Sequence, residues 1–317
     1  MSIPPVSVSV VMSVYNGEKY LAEAIGSILG QTFGDFEFII VDDGSMDGSA
    51  QILAEHAARD GRIRVLSQEN RGLTKSLNTA ISNARAPLIA RMDADDIALP
   101  GRFEKQVAAF DANPRLVGLG TAVATFTDGS ANRRTRGVIC GAEAIQSALE
   151  TRNVMNHPSA MIQAEALRDI GGYREKFVTS QDYDLWLRLA ETGDLDNLKE
   201  TLLRYRVHGG RTSDTKNAHR QTIYSVAAAA DHFLRKLGRT PSDAPIDTGN
   251  PESVANDLLA LLASGLPKGE KKKLMRHVLR FVRRVPVISG ETRRQLLAAA
   301  RPHMSLKDRL KLKLYRI

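Results

Sequence analysis

The chain has 317 residues, 43% hydrophobic and 25% charged, an ordinary balance for a globular protein and enough for one large α/β domain with a smaller appendage. Its one cysteine, Cys140, excludes an internal disulfide and suits a reducing compartment. The net charge of +8 is uneven: residues 268–317 hold 16 Lys/Arg against 3 Asp/Glu, so the remainder is mildly acidic and the basic stretch points to an anionic partner.

The first apolar run, Val6–Val14, reads as a strand. It is too short to span a bilayer, as is every later run, and the N-terminus lacks the basic start and apolar core of a secretory signal. A cytoplasmic protein is therefore expected. Glu18–Leu29 carries apolar residues at helical spacing, and Phe36–Val41 is a second strand closed by Asp42-Asp43-Gly44-Ser45. Ser49–Ala58 reads as a helix, Ile63–Ser67 as a strand, Leu73–Asn83 as a helix and Leu88–Met92 as a strand. This alternation implies a mostly parallel sheet with helices on both faces. Pro100 opens a further helix. Leu116–Thr127 is β-like, Ala142–Leu149 and Asp182–Ala190 are helical, and Leu198–Val207 returns to strand. Beyond Lys216 the pattern is all helical, broken by the Pro/Gly/Asp-rich stretch Thr240–Pro251.

The densest chemistry follows the Leu88–Met92 strand, in Asp93-Ala94-Asp95-Asp96. Three carboxylates in four residues repel one another unless a cation neutralises them, and a hard divalent ion such as Mg²⁺ or Mn²⁺ prefers oxygen ligands and holds phosphates. Two more segments, Ser13–Gly17 and Val41–Ser45, end strands that a doubly wound sheet would gather at one edge. A fourth, Ser180–Trp186, lies at a helix start. Each has a plainer reading: Asp43-Gly44-Ser45 as a turn, Asp182 as a helix cap, Asp96 as part of the turn after the strand. Leu185, Trp186 and Leu189 read as helix core, with sugar stacking the alternative, and His157 before Pro158 reads as a structural loop residue rather than a ligand. His208 is either a solvated strand end or a metal or phosphate contact.

Together these segments resemble the family 2 glycosyltransferases of GT-A fold. Val8–Ser45 is similar to that family's N-terminal signature, and Asn70–Leu73 and Ala90–Asp96 continue it. His157-Pro158-Ser159, Gly171-Gly172-Tyr173, Asp182–Leu189 and Tyr205–His208 are similar to its acceptor half. The resemblance implies a Rossmann-like sheet flanked by helices with a C-terminal helical extension. Residues 1–215 would form the catalytic domain, 1–100 its nucleotide-sugar half and 101–215 its acceptor half, with 216–317 a basic helical region. It also implies roles. Asp43 would read the donor's nucleobase, with Ser13 and Tyr15 beside it. Arg71 or Lys75 would help hold the donor. Asp93 would take the ribose or the metal, Asp95 would ligate Mn²⁺ or Mg²⁺, His208 would touch metal or diphosphate, and Asp182 would be the catalytic base.

Ser13 stands where the family often has proline, Met46 where it has threonine, and Gln181 where a glutamate would place a second negative charge beside the base. The Gln-x-x-Arg-Trp motif of processive synthases is absent, because Trp186 is the only tryptophan and no arginine precedes it. The expected activity is inverting transfer of a sugar from a nucleotide donor, a UDP-sugar first, to a hydroxyl of a saccharide or lipid-linked acceptor in surface polysaccharide or glycolipid assembly. A Mg-dependent nucleotidyltransferase would need a Gly-rich basic loop where Tyr15-Asn16-Gly17-Glu18 stands, and a dehydrogenase a Gly-x-Gly-x-x-Gly turn. A non-catalytic nucleotide-sugar or membrane-binding scaffold would not need Asp182. In the tail, Leu306, Leu310, Leu314 and Ile317 fall on one helical face with lysines and arginines around it. Such a helix either lies on the anionic inner face of a membrane or packs on the body. The tail lacks interleaved aromatics, so no nucleic-acid partner is expected.

Overall fold

The computed structural model describes residues 6–129, 134–209 and 218–305. Strands β1 (Val8–Val14), β2 (Phe36–Asp42), β3 (Ile63–Ser67) and β4 (Leu88–Arg91) are joined by helices α1 (Glu18–Leu29), α2 (Ser49–Arg59) and α3 (Leu73–Ser82). β2 is buried along its whole length and β1 at every residue but Ser13, which is why both read as near-continuous apolar runs: covered on both faces, they need no polar alternation. α1 turns Leu21, Ala24, Ile25 and Ile28 into the core at 3.6-residue spacing.

The pairings β1–β2, β2–β3 and β1–β4 are all parallel, giving the order β3-β2-β1-β4. The chain winds outward from β1 to β3 and then returns to β4 on the other side of β1. That reversal opens a crevice at the carboxyl ends of β1 and β4, where doubly wound sheets take their ligands.

Beyond β4 the chain adds β5 (Ile97–Ala98), helix α4 (Arg102–Ala112), β6 (Leu116–Phe126), β7 (Arg134–Arg136), helix α5 (Ala142–Leu149), β8 (Met161–Gln163), helices α6 (Ala164–Asp169) and α7 (Gln181–Leu189), and β9 (Asp194–Arg206). The sheet continues β4-β8-β6-β9-β5, with β7 paired to β6. β6–β9 is parallel, whereas β4–β8, β6–β8, β5–β9 and β6–β7 are antiparallel. The parallel sheet expected from the sequence is therefore its first half, and the whole is mixed. The antiparallel character enters through strands of two or three residues, too short to carry a period.

Helices α8 (Ala218–Lys236), α9 (Glu252–Ala263), α10 (Lys268–Arg284) and α11 (Gly290–Ala300) form the C-terminal extension. Ser289 caps α11 by accepting the Thr292 N–H at 3.0 Å. Residues 239–250 between α8 and α9 carry no regular element, as their Pro/Gly/Asp content predicts. Leu306, Leu310, Leu314 and Ile317 lie outside the described residues. Among the described residues no helix is long and apolar enough to cross a membrane.

The chain forms two compact units that interleave in sequence. One comprises Met1–Gln146, Val154–Glu175 and Arg188–Arg211. Its core gathers Val10, Met12, Ile25, Phe38, Ile40, Phe103 and Leu203 among others. The other comprises Ser147–Asn153, Lys176–Leu187 and Thr212–Ile317, so two short segments from well before residue 215 belong with the C-terminal helices. Phe177, Tyr183, Trp186, Phe233 and Phe281 are buried there.

Candidate active site

In the first unit, the turns after β1 and β2 clasp each other. The Asn16 N–H donates to Ser45 Oγ at 3.0 Å, while Asn16 Oδ1 accepts the Met46 N–H at 2.8 Å. The Glu18 N–H donates to Asp47 at 3.0 Å and the Glu18 carboxylate accepts the Gly48 N–H at 2.7 Å. These bonds satisfy backbone donors at the start of α1 and α2 that no helical carbonyl reaches. They hold Tyr15, 48% exposed, at the sheet's carboxyl edge. Ser13, half-buried, lies opposite Val41 in the β1–β2 ladder.

Asp43 is buried, and both of its oxygens are engaged. Oδ1 accepts from Gln68 Nε2 at 2.8 Å and the Arg71 N–H at 2.9 Å, and Oδ2 accepts the Gly72 N–H at 2.9 Å. A carboxylate has about four acceptor positions, so Oδ2 keeps capacity for one further donor. Gly44 next to it has φ +78°, and a Cβ there would stand 2.8 Å from the Asn70 nitrogen, which explains a glycine at this place. The Arg71 side chain is exposed, and Lys75 pairs with Glu175 at 3.7 Å, both part-exposed.

At the end of β4, Asp93, Asp95 and Asp96 each turn one oxygen into a common space, with these atoms all within 4.8 Å of one another. His208 joins them, its Nε2 2.9 Å from Asp95 Oδ2 and its ring against Tyr20 at 4.9 Å between centroids. Asp96 does not serve the following turn as expected. It is 1% exposed, its Oδ1 accepts the Arg206 N–H of β9 at 2.8 Å, and its Oδ2 is buried without a hydrogen-bond partner among the described residues. Burial and then the Asp93 and Asp95 charges push its carboxyl well above the usual range, only partly opposed by the Arg206 N–H and by Arg91.

Two arginines frame the cluster. Arg91, the last residue of β4, is 3% exposed and ion-paired to Asp93. Burial works against its charge, yet the carboxylate prevails and holds its proton affinity above the ordinary arginine value. Arg206 donates from Nε to the Asp95 carbonyl at 2.8 Å, pairs with Glu23 and Asp128, and lies over the Tyr20 and Phe126 rings at 4.3 and 4.6 Å. Neither was singled out from the sequence. Arg91 carried a signal all the same: a cation inside an apolar strand is buried only beside a partner. His157 is the structural residue expected of it, buried with Nε2 2.6 Å from the Tyr173 hydroxyl. Burial, reinforced by Arg91, depresses its pKa and keeps the ring neutral.

Asp182 belongs to the second unit, in the first turn of α7. Its Oδ1 accepts the Tyr183 N–H at 2.8 Å and its Oδ2 accepts from Asn153 Nδ2 at 2.7 Å. Ser180, just before, takes a left-handed φ of +57°, uncommon for a non-glycine residue and enriched where geometry serves function. Nothing in the sequence ties Asn153 to Asp182, because the pair is 29 residues apart.

Known proteins resemble the chain in sequence and in fold. The model of "Glycosyl transferase family 2" matches residues 9–171. The O-antigen biosynthesis glycosyltransferase WbnJ of Escherichia coli is 35% identical over 248 residues, 73% of this chain and 96% of that protein. Among solved structures, S. aureus TarS in complex with UDP-GlcNAc superposes with a TM-score of 0.60 at 18% identity, covering 94% of this chain and 88% of that one. The mannosyltransferase PcManGT from Pyrobaculum calidifontis, in complex with GDP-Man and Mn2+, gives 0.52 at 16% identity over 98% and 84%. These structures share the fold, an α/β sheet of GT-A type with helices around it. With a carboxylate cluster at the switch point of such a sheet, and a family match over half its length, the chain belongs to glycosyl transferase family 2 and is a glycosyltransferase.

Proposed function

We propose that the enzyme transfers a sugar from a UDP-sugar to a hydroxyl of a saccharide or lipid-linked acceptor, with inversion, in the assembly of surface polysaccharide or glycolipid. The observation that carries this reading is the gathering of Asp93, Asp95, Asp96 and His208 at the carboxyl end of β4. The TarS complex with UDP-GlcNAc supports the donor class and the WbnJ relative supports the pathway class.

The residues at this place fit a hard divalent cation. The donor set is oxygen-rich with one imidazole, and a buried carboxylate oxygen of Asp96 lacks a partner among the described residues. Mn²⁺ or Mg²⁺ held by Asp95, with His208 and the other two carboxylates around it, would supply charge neutralisation for the leaving diphosphate. The chain's own residues do the rest. Asp43 offers the free acceptor position of Oδ2 to a nucleobase N–H. Ser13 and Tyr15 line the base and ribose, Asp93 meets the ribose hydroxyls, and Arg71 or Lys75 meets the phosphates. Asp182 takes the proton of the acceptor hydroxyl as that oxygen bonds to the anomeric carbon. The bond to the diphosphate breaks in the same displacement, its electron pair leaving with the diphosphate. One displacement inverts the anomeric centre.

Melting temperature with UDP- and GDP-sugars, each with and without Mn²⁺, tests the donor, since a ligand that binds the folded state raises it. A UDP-sugar with Mn²⁺ should give the largest rise; a larger rise with GDP-mannose would replace the donor assignment. Asp182→Asn should keep that rise and lose about 10²-fold or more in kcat. Normal turnover by the variant would remove Asp182 from its role.

A further inference from the structure

The segment that carries Asn153 is built into the C-terminal helices to an extent that bare packing does not require. The Glu150 carboxylate is ion-paired with Lys236 of α8 and Lys273 of α10, and His232 of α8 lies 3.8 Å from it. Glu270 ties the same two lysines together at 2.5 and 2.9 Å. The backbone is held as well: His277 Nε2 is 2.9 Å from the Glu150 carbonyl and Arg280 donates to the Thr151 carbonyl at 3.1 Å. One residue earlier, the Leu149 carbonyl accepts the Tyr183 hydroxyl at 2.5 Å, which fastens the segment to α7. Three consecutive residues are thus anchored by side chains from three helices. The next bond the segment makes toward α7 is from Asn153 Nδ2 to Asp182 Oδ2, at 2.7 Å.

We propose that Asn153 is a positioning residue for Asp182, held in place by the α8–α10 helices, and that the C-terminal extension thereby takes part in catalysis; this rests on the reading of Asp182 as the base. The geometry gives the bond a purpose. A carboxylate base must present a lone pair in one direction. With Oδ1 held by the Tyr183 N–H and Oδ2 by Asn153, rotation of the carboxylate plane about its Cβ–Cγ bond is opposed at both oxygens, which fixes the direction in which the base meets the acceptor hydroxyl. An amide serves here better than a cation, because it orients the carboxylate without neutralising the charge that draws the proton.

The test is a double-mutant cycle on the full chain with Asn153→Ala, Asp182→Asn and the pair, read as kcat and donor KM. Asn153→Ala should lower kcat by about 10- to 100-fold, the size expected for a hydrogen bond to a charged group, with donor KM within about twofold. On top of Asp182→Asn it should cost nothing further, since a residue acting only through the base loses its effect with the base. Equal losses in both backgrounds would overturn the proposal and leave Asn153 a structural residue, as would wild-type kcat in Asn153→Ala. Full activity of Asp182→Asn would instead overturn the base reading. Asn153→Leu, of similar volume but unable to donate, guards against misfolding: it should match wild type in melting temperature with UDP and Mn²⁺ and still lose kcat, and retained kcat would count against the bond.

Discussion

At the scale of single residues, the three carboxylates of the acidic cluster meet different neighbours. Arg91 lies against Asp93, His208 against Asp95, and burial with the Asp93 and Asp95 charges pushes the Asp96 carboxyl well above its usual range. The arrangement separates the three carboxylates by partner, so that equal side chains acquire unequal tasks. Arg91 is the member with the largest structural effect, since its removal takes a buried cation away from Asp93, which lies beside two other carboxylates. Arg91→Met should lower stability by about 2–3 kcal/mol, less than for a wholly buried pair because Asp93 is part-exposed, measured by urea unfolding. An unchanged midpoint would mean that solvent already screens Asp93. The cluster itself was legible from residues 93–96, because charge crowding is local in sequence. Arg206 was not, because its role depends on β9 returning 110 residues later to place its N–H on Asp96.

At the scale of elements, the strands that could be read were those buried on both faces or long enough to show a pattern, such as β1, β2 and β6. β5 and β8 escaped because two or three residues hold no period, and with them went the antiparallel half of the sheet. The helices of the second unit were legible by spacing; their ion-pair network was not. Glu150 is the centre of that network. Burial opposes its charge, but His232, Lys236 and Lys273 outweigh it and hold its pKa at about 2. A carboxyl depressed in the folded state adds stability that is full above its unfolded value, near 4.3, and is lost as pH falls through the folded value. Glu150→Gln should therefore unfold more easily by roughly 2 kcal/mol at pH 7. The gap to wild type should close as pH falls from about 4 toward 2. A gap constant over that range would show that the glutamate acts by packing and not by charge.

At the scale of the whole molecule, the basic stretch expected from the sequence is present in α10 and α11, where Lys268, Lys272, Arg276 and Arg294 are exposed. Residues 306–317 lie outside the described residues, and their sequence leaves two readings, contact with an anionic membrane surface or packing on the body. Removing residues 306–317 should lower co-sedimentation with vesicles containing anionic lipid and leave transfer to a soluble acceptor unchanged. Equal pelleting of both chains would assign the leucine face to packing.

The interleaving of the two units has a consequence for how the protein is made. Glu150 waits for a partner, His277, that lies 127 residues further along the chain. At about 5–20 residues per second, a ribosome needs on the order of ten seconds to supply it. Throughout that interval the parallel sheet can already close on its own core, while the loop bearing Asn153 and the turn bearing Asp182 have only each other and, later, α8 to dock against. Nascent chains halted before α10 should accordingly be cut by protease near residues 147–153 and 176–187, and become resistant there once α10 has emerged.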